Sequence, residues 1–139
     1  MILPMNTQSL TGGCHCGQLR YTVTAEPLNV MICHCDSCKK VTGQPFFARA
    51  VFPSNAVSVT GEMSHYASSS EITRRFCPIC GATVFAQRRT LPDRLSVTLG
   101  SLDDPDALPP TAHMFAGRMV GWLTLDDGLP RHEEFPPPA

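Results

Sequence analysis

The chain has 139 residues, a formal net charge of -1, and 42% hydrophobic against 17% charged residues, as befits one modest globular domain. So balanced a charge gives no electrostatic basis for nucleic acid or an anionic membrane as partner, and no stretch approaches the roughly 20 apolar residues of a membrane span. Thirteen prolines and ten glycines favour short strands and many turns over a helical bundle.

Residues 1–11 read as a flexible leader. The apolar run in "MILPMNTQSL" is too short for a signal peptide and no basic residue precedes it, so the expected location is the cytoplasm, where thiols stay reduced. Residues 12–137 read as a single domain. "QLRYTVTAEP" sets Leu19, Tyr21 and Val23 against Arg20, Thr22 and Thr24, the period-two alternation of a half-buried strand ended by Pro27. "LNVMICH" is a second, more buried strand. "SCKKVTG" fits a strand or a short helix equally well.

"FFARAVFP" and "AVSVTG" read as strands closed by Pro53 and Gly61, and "SHYASSSEITRRF" as strand, Ser-rich turn, strand. "ATVFAQRR" and "RLSVTLGSL" follow, separated by the turn "TLPD". In "DDPDALPP" only Pro105 to Leu108 has the makings of a helical turn. "TAHMF" and "MVGWLTL" are further strand candidates before an irregular tail. The fold class is mainly β.

All seven cysteines lie in three stretches, "GGCHCGQ", "CHCDSCKK" and "RFCPICGAT". An odd count fits a disulfide framework poorly and directs attention to metal. Cys77 and Cys80, in C-P-I-C-G, have the form of a zinc knuckle: two intervening residues let both sulfurs face one ion, and Gly81 can take the positive φ at the exit. Cys14 and Cys16 read as a C-x-C claw in extended backbone, where alternation puts both sulfurs on one face. Joined to the knuckle, this claw completes a four-thiolate site. Cys33, Cys35 and Cys38 then remain as a local group of three. Three ligands with a vacant fourth place is the arrangement of a catalytic zinc. Spacing alone also admits the reverse pairing, a single structural zinc with three spare cysteines, or two structural ions. His15 and His34 alternate with cysteines and point to the other strand face, as core or ligand-supporting groups rather than ligands.

Taken in order, "GGCHCGQLRYTV", "CHCDSCKKVTG", "RFCPICGATVF", "LGSLDDP" and "HMFAGRMVGWLTLDDGLPRHEEFPP" resemble the glutathione-dependent formaldehyde-activating (Gfa-like) enzymes across Gly12 to Pro137. The resemblance implies an Mss4-like β-tent of antiparallel sheets with zinc-binding loops. It implies two zinc ions per chain, the second labile: Cys14, Cys16, Cys77 and Cys80 as ligands of a structural ion, and Cys33, Cys35 and Cys38 as ligands of the open, catalytic one. The activity implied is carbon–sulfur lyase chemistry joining a thiol, glutathione, to a carbonyl compound, formaldehyde, to give S-hydroxymethylglutathione. Two other classes compete with it: a zinc-binding protein-interaction module without catalysis, and a thiol redox or metal-sensing role for Cys33, Cys35 and Cys38.

The remaining candidates have plain readings. Lys39, Lys40, Arg74 and Arg75 read as solvated surface charges, although glutathione's carboxylates would need such cations. "GSLDD" reads as a turn with Asp side chains bonding backbone amides. His113 reads as structural before proton-donating, and Trp122 as core or pocket wall.

Overall fold

The computed structural model describes residues 9–137. Within them lie ten strands and one α-helix, the mainly β fold that the alternation predicts. The strands are β1 (Leu10–Gly13), β2 (Arg20–Val23), β3 (Asn29–Cys33), β4 (Phe47–Pro53), β5 (Val57–Thr60), β6 (Ser64–Ala67), β7 (Ile72–Phe76), β8 (Thr83–Arg88), β9 (Arg94–Thr98) and β10 (Ala112–Met114); the helix α1 is Asp36–Thr42. No helix among the described residues is long and apolar enough to cross a membrane.

Two sheets form. A three-stranded sheet runs β1-β2-β5, and a seven-stranded sheet runs β10-β3-β4-β9-β8-β7-β6. All pairings are antiparallel except β10 with β3, which is parallel. That pair departs from an all-antiparallel expectation, and the long connection from β9 to β10 permits it.

Register sorts the large sheet into two faces. Ala50 pairs with Val97, and Val97 with Phe85. These side chains share a face with Phe52 and Leu95 and pack against Leu19, Tyr21 and Val23 of the small-sheet region in one continuous core. Phe52 and Phe85 are fully buried, and each contributes about 2–3 kcal/mol from area removed from water. The opposite face carries Cys33, Phe47 and Ala86, grouped with Cys38 and Met114 in a second, smaller cluster. β4 is central and covered on both sides, which explains its nearly unbroken apolar run.

Several expectations change. The leader falls mostly outside the described residues, but Leu10 and Thr11 belong to β1, which pairs with β2. β1 carries two glycines and no strand signature; it is shaped by the Tyr21 hydroxyl, which occupies the space a Cβ at Gly12 would need, 2.2 Å away. "SCKKVTG" is helical. Cys35 caps it by accepting from the Cys38 N–H at 3.2 Å, and Gly43 closes it with φ 69°. "DDPDALPP" holds a turn and no helix, and "MVGWLTL" forms no strand.

Candidate metal centres

Cys14, Cys16, Cys77 and Cys80 come together with all four sulfurs within 4.8 Å of one another. Cys14 follows β1, and the knuckle follows β7, so this group sits at the seam between the two sheets. The claw is not extended: Cys14 to Gly17 is a turn closed by the Gly17 N–H on the Cys14 carbonyl, with Gly17 at φ 86°. The knuckle is closed by the Gly81 N–H on the Cys77 carbonyl, with Gly81 at φ 78°. The Cys14–Cys16 and Cys16–Cys77 separations are 3.6 and 3.7 Å, against about 3.8 Å for the edge of a tetrahedron with 2.3 Å zinc–sulfur bonds. Soft donors at that spacing suit zinc.

The surroundings act differently on the thiols of this group. Against the desolvation of its buried position, N–H groups of Cys80 and Ile79 and the Gln18 side chain bring the Cys77 thiol down to about 6. Cys16, pulled down by the Gln18 backbone but pushed harder by burial and by its sulfur neighbours, rises to about 11. An ion there would have to draw that proton off, so binding would release protons.

Cys33, Cys35 and Cys38 form the other group, also within 4.8 Å. Cys33 ends β3, Cys35 caps α1, and Cys38 lies in the first turn of α1. Cys38 is 3.6 Å from Cys33 and 2.8 Å from Cys35, the latter about 1 Å closer than a tetrahedral edge. Cys33 and Cys38 are buried; Cys35 is half-exposed. Hydrogen bonds from Cys33 and then Cys38 take the Cys35 thiol down to about 2, while the same contacts, seen from Cys33, push that thiol strongly up. Cys35 is the member of the three nearest solvent.

Two arginines face this group from the sheet. Arg49, on β4, is buried, bonds Asn29 and reaches the Met114 sulfur at 3.3 Å. Arg74, on β7, is only 2% exposed: Nη2 is 3.6 Å from Cys38 Sγ, Nε donates to Ser68 Oγ at 3.1 Å, and the guanidinium lies 5.2 Å from the Phe47 ring centroid. The reading of Arg74 as a solvated charge is therefore corrected. Register with Ala86 turns it inward, and one strand's sequence carries no information on that choice. Arg75, its neighbour, pairs with Gln87 instead. Arg49 drew no attention in the sequence, where it lies inside an apolar run.

His34 is fully buried, on the far side of the strand from Cys33, and bonds His113 through Nε2 to Nδ1 at 2.8 Å. His113 Nε2 meets Asp127 at 2.8 Å. Burial first, and then His113, bring His34 down to about 4, so it is neutral near pH 7. His15 is exposed and belongs to no core. Trp122 is 74% exposed, on the wall of a shallow groove over α1 with Lys39, Lys40, Gly43 and Pro45. A second groove runs along Cys14, Arg20, Phe46 and Asp103. Neither is lined by Cys33, Cys35 or Cys38. In "GSLDD", Asp104 bonds the Asp106 N–H as expected of a turn, but Asp103 reaches across to Arg20 and Thr11.

Residues 9–118 match a protein family described as "Glutathione-dependent formaldehyde-activating enzyme". A protein of Schizosaccharomyces pombe named as an uncharacterized lyase is 32% identical over 74 residues, covering 53% of this chain and 54% of its own. A protein of Emericella nidulans, whose name assigns it provisionally to the glutathione-dependent formaldehyde-activating enzymes, is 32% identical over 79 residues, covering 53% and 40%. The chain thus spans about half the length of these relatives. A solved structure from Rhodobacter sphaeroides, 23% identical, superposes with a TM-score of 0.58 over 88% of this chain and 98% of its own, a likeness of fold.

Proposed function

The chain belongs to the glutathione-dependent formaldehyde-activating enzyme family, and from that premise we propose that it is a zinc-dependent carbon–sulfur lyase acting on the adduct of a thiol and a carbonyl compound, with glutathione and formaldehyde as the pair. Residues 12–137 act as one domain in this reading. Cys14, Cys16, Cys77 and Cys80 hold a structural zinc, and Cys33, Cys35 and Cys38 hold a second, open one. The observation that carries the reading is the unequal division of sulfurs into a complete set of four and an incomplete set of three.

In the synthetic direction the thiol S–H bond breaks, a carbon–sulfur bond forms at the aldehyde carbon, and the proton ends on the new hydroxyl oxygen. Cleavage runs the same changes backwards. A divalent ion beside three thiolates supplies a lowered thiol pKa and polarisation of a carbonyl oxygen. The chain's own part is to hold the three sulfurs on two rigid elements, β3 and α1, with Cys35 toward solvent as the side of approach. Exposed Lys40, on the groove over α1, offers a cation to a carboxylate of glutathione.

The test is zinc stoichiometry by elemental analysis on protein purified reduced and chelator-free, with and without added zinc and glutathione, together with the rate of S-hydroxymethylglutathione formation by NMR. Two ions per chain, one perturbed by glutathione, and an accelerated rate are expected. One ion throughout, indifferent to glutathione, with no acceleration, would leave a structural zinc module.

A further inference from the structure

Arg49 and Arg74 are both buried on the sheet face that carries Cys33. The register places them there independently of any side-chain geometry: Met31 pairs with Arg49 and Cys33 with Phe47, while Arg74 pairs with Ala86, which shares that face through Ser96 and Val51. Among the described residues neither arginine has a carboxylate within 4.0 Å, although Arg88 on the same face has Glu71 at 3.3 Å. Asp36, the carboxylate beside Cys35 in sequence, is already paired with Lys39 and Arg118 at 3.4 and 3.2 Å. Two guanidiniums that stay charged at any physiological pH are thus taken out of water with sulfur, an amide and a hydroxyl as neighbours. Burial on that scale calls for a counter-charge.

The three-cysteine group supplies it only in part. Three thiolates with a divalent ion carry one net negative charge, and two guanidiniums turn that into one net positive charge. A neutral fourth ligand would leave this buried excess standing, whereas one anion cancels it. We infer that Arg49 and Arg74 set the charge of the Cys33, Cys35, Cys38 centre so that its fourth place selects an anionic ligand, a thiolate, over a neutral one. This rests on the reading of that group as an ion-holding centre, and it narrows the substrate: the sulfur arrives, and is held, as the thiolate. Both arginines act through charge on the ligand and are positioning residues.

The test uses the full chain loaded with cobalt(II), whose visible bands report its ligands, under a non-thiol reductant. The unsubstituted protein, Arg74→Met, Arg49→Met and Arg74→Lys are each titrated with 2-mercaptoethanol, whose only charge when bound is on sulfur, and with neutral imidazole. For Arg74→Met 2-mercaptoethanol should bind at least about tenfold more weakly, as expected for one charge removed a few ångströms away, and for Arg49→Met more weakly than for the unsubstituted protein, while imidazole holds within about twofold in both. Arg74→Lys should stay near the unsubstituted protein. Should Arg74→Met not fold, Arg49→Met carries the comparison. Equal weakening for both ligands, or for neither, overturns the proposal. Failure of the unsubstituted protein to take a second cobalt overturns instead the reading beneath it, and is visible in the metal count before any titration.

Discussion

His34 Nε2 lies 2.8 Å from His113 Nδ1 although 79 residues separate the two in sequence. The Asp127 carboxylate accepts from His113 Nε2–H; in the tautomer with that proton alone, His113 Nδ1 is an acceptor and His34 Nε2–H the donor. The far nitrogen of His34, Nδ1, is then a bare acceptor, and among the described residues it is a buried atom without a partner. This chain of three side chains ties the segment after β10 to the residue between Cys33 and Cys35. His113→Phe keeps a ring but strands the His34 donor. It should cost about 1–3 kcal/mol in urea unfolding, where His15→Ala, at an exposed site, should stay within about 0.5 kcal/mol. Equal stability of His113→Phe and the unsubstituted protein would show that the bond stabilises nothing.

The cysteine groups were legible because their ligands lie close together in sequence, and each turn between them is specified by local residues such as Gly81. Nine of the ten strands announced themselves by alternation or by an apolar run. β1 did not, since "TGG" offers no side-chain pattern; it is extended through pairing with β2, where Gly12 lies opposite Tyr21. Which of Arg74 and Arg75 points inward was equally hidden, being a matter of register with β8. Trp122 reads as core or pocket wall; the segment around it pairs with no strand, and at 74% exposed it lies on a groove wall. The His34–His113–Asp127 chain depends on a parallel pairing of β10 with β3 that no local pattern encodes.

The two cysteine groups should respond differently to loss of one sulfur. Cys77 is fully buried within the main core cluster, between the sheets. Cys77→Ser should therefore abolish cooperative folding or lower the melting temperature by many degrees, because zinc binding and folding are linked. Cys35 is half-exposed at the cap of a seven-residue helix. Cys35→Ser retains a capping oxygen and should yield a folded protein with one ion fewer by elemental analysis. Collapse of Cys35→Ser to the same extent as Cys77→Ser would mean that the structural and open roles have been assigned to the wrong groups.

Asp103 holds the small sheet to the loop after β9. Arg20 Nη1 donates to its Oδ1 at 2.9 Å, Thr11 donates to Oδ2 at 2.6 Å, and the Asp103 N–H meets the Thr11 carbonyl. The Arg20 hydrogen bond, then Thr11, take its carboxyl down from 3.8 to about 2. A carboxylate with a depressed folded-state pKa contributes stability that is full above pH 3.8 and disappears as the pH falls toward 2. Asp103→Asn should accordingly be less stable than the unsubstituted protein at pH 6, with a gap that narrows in acid. Melting temperatures of both proteins between pH 6 and 3 check this; a gap independent of pH would assign the effect to packing instead of charge.

Removal of metal should expose an order of reactivity among the thiols. Cys35 and Cys38 have their sulfurs 2.8 Å apart in a C-x-x-C spacing, and Cys35, through Cys33 and Cys38, is the most acidic thiol of its group. A thiolate beside a thiol is the combination that oxidises to a disulfide, passing two electrons and the thiol's one proton to the oxidant, which takes its second proton from water. Cys77 and Cys80 have the same spacing, but Cys77 falls only to about 6 and is wholly buried. After chelation, diamide should therefore link Cys35 to Cys38 first, and zinc added beforehand should block that link. Differential alkylation with peptide mass mapping reads the order directly. A Cys77–Cys80 link appearing first would mean that access to the seam between the sheets, and not thiolate character, governs reactivity here. A Cys35–Cys38 link that forms at the same rate with zinc present would remove the case for an ion at that group and leave it as a redox pair.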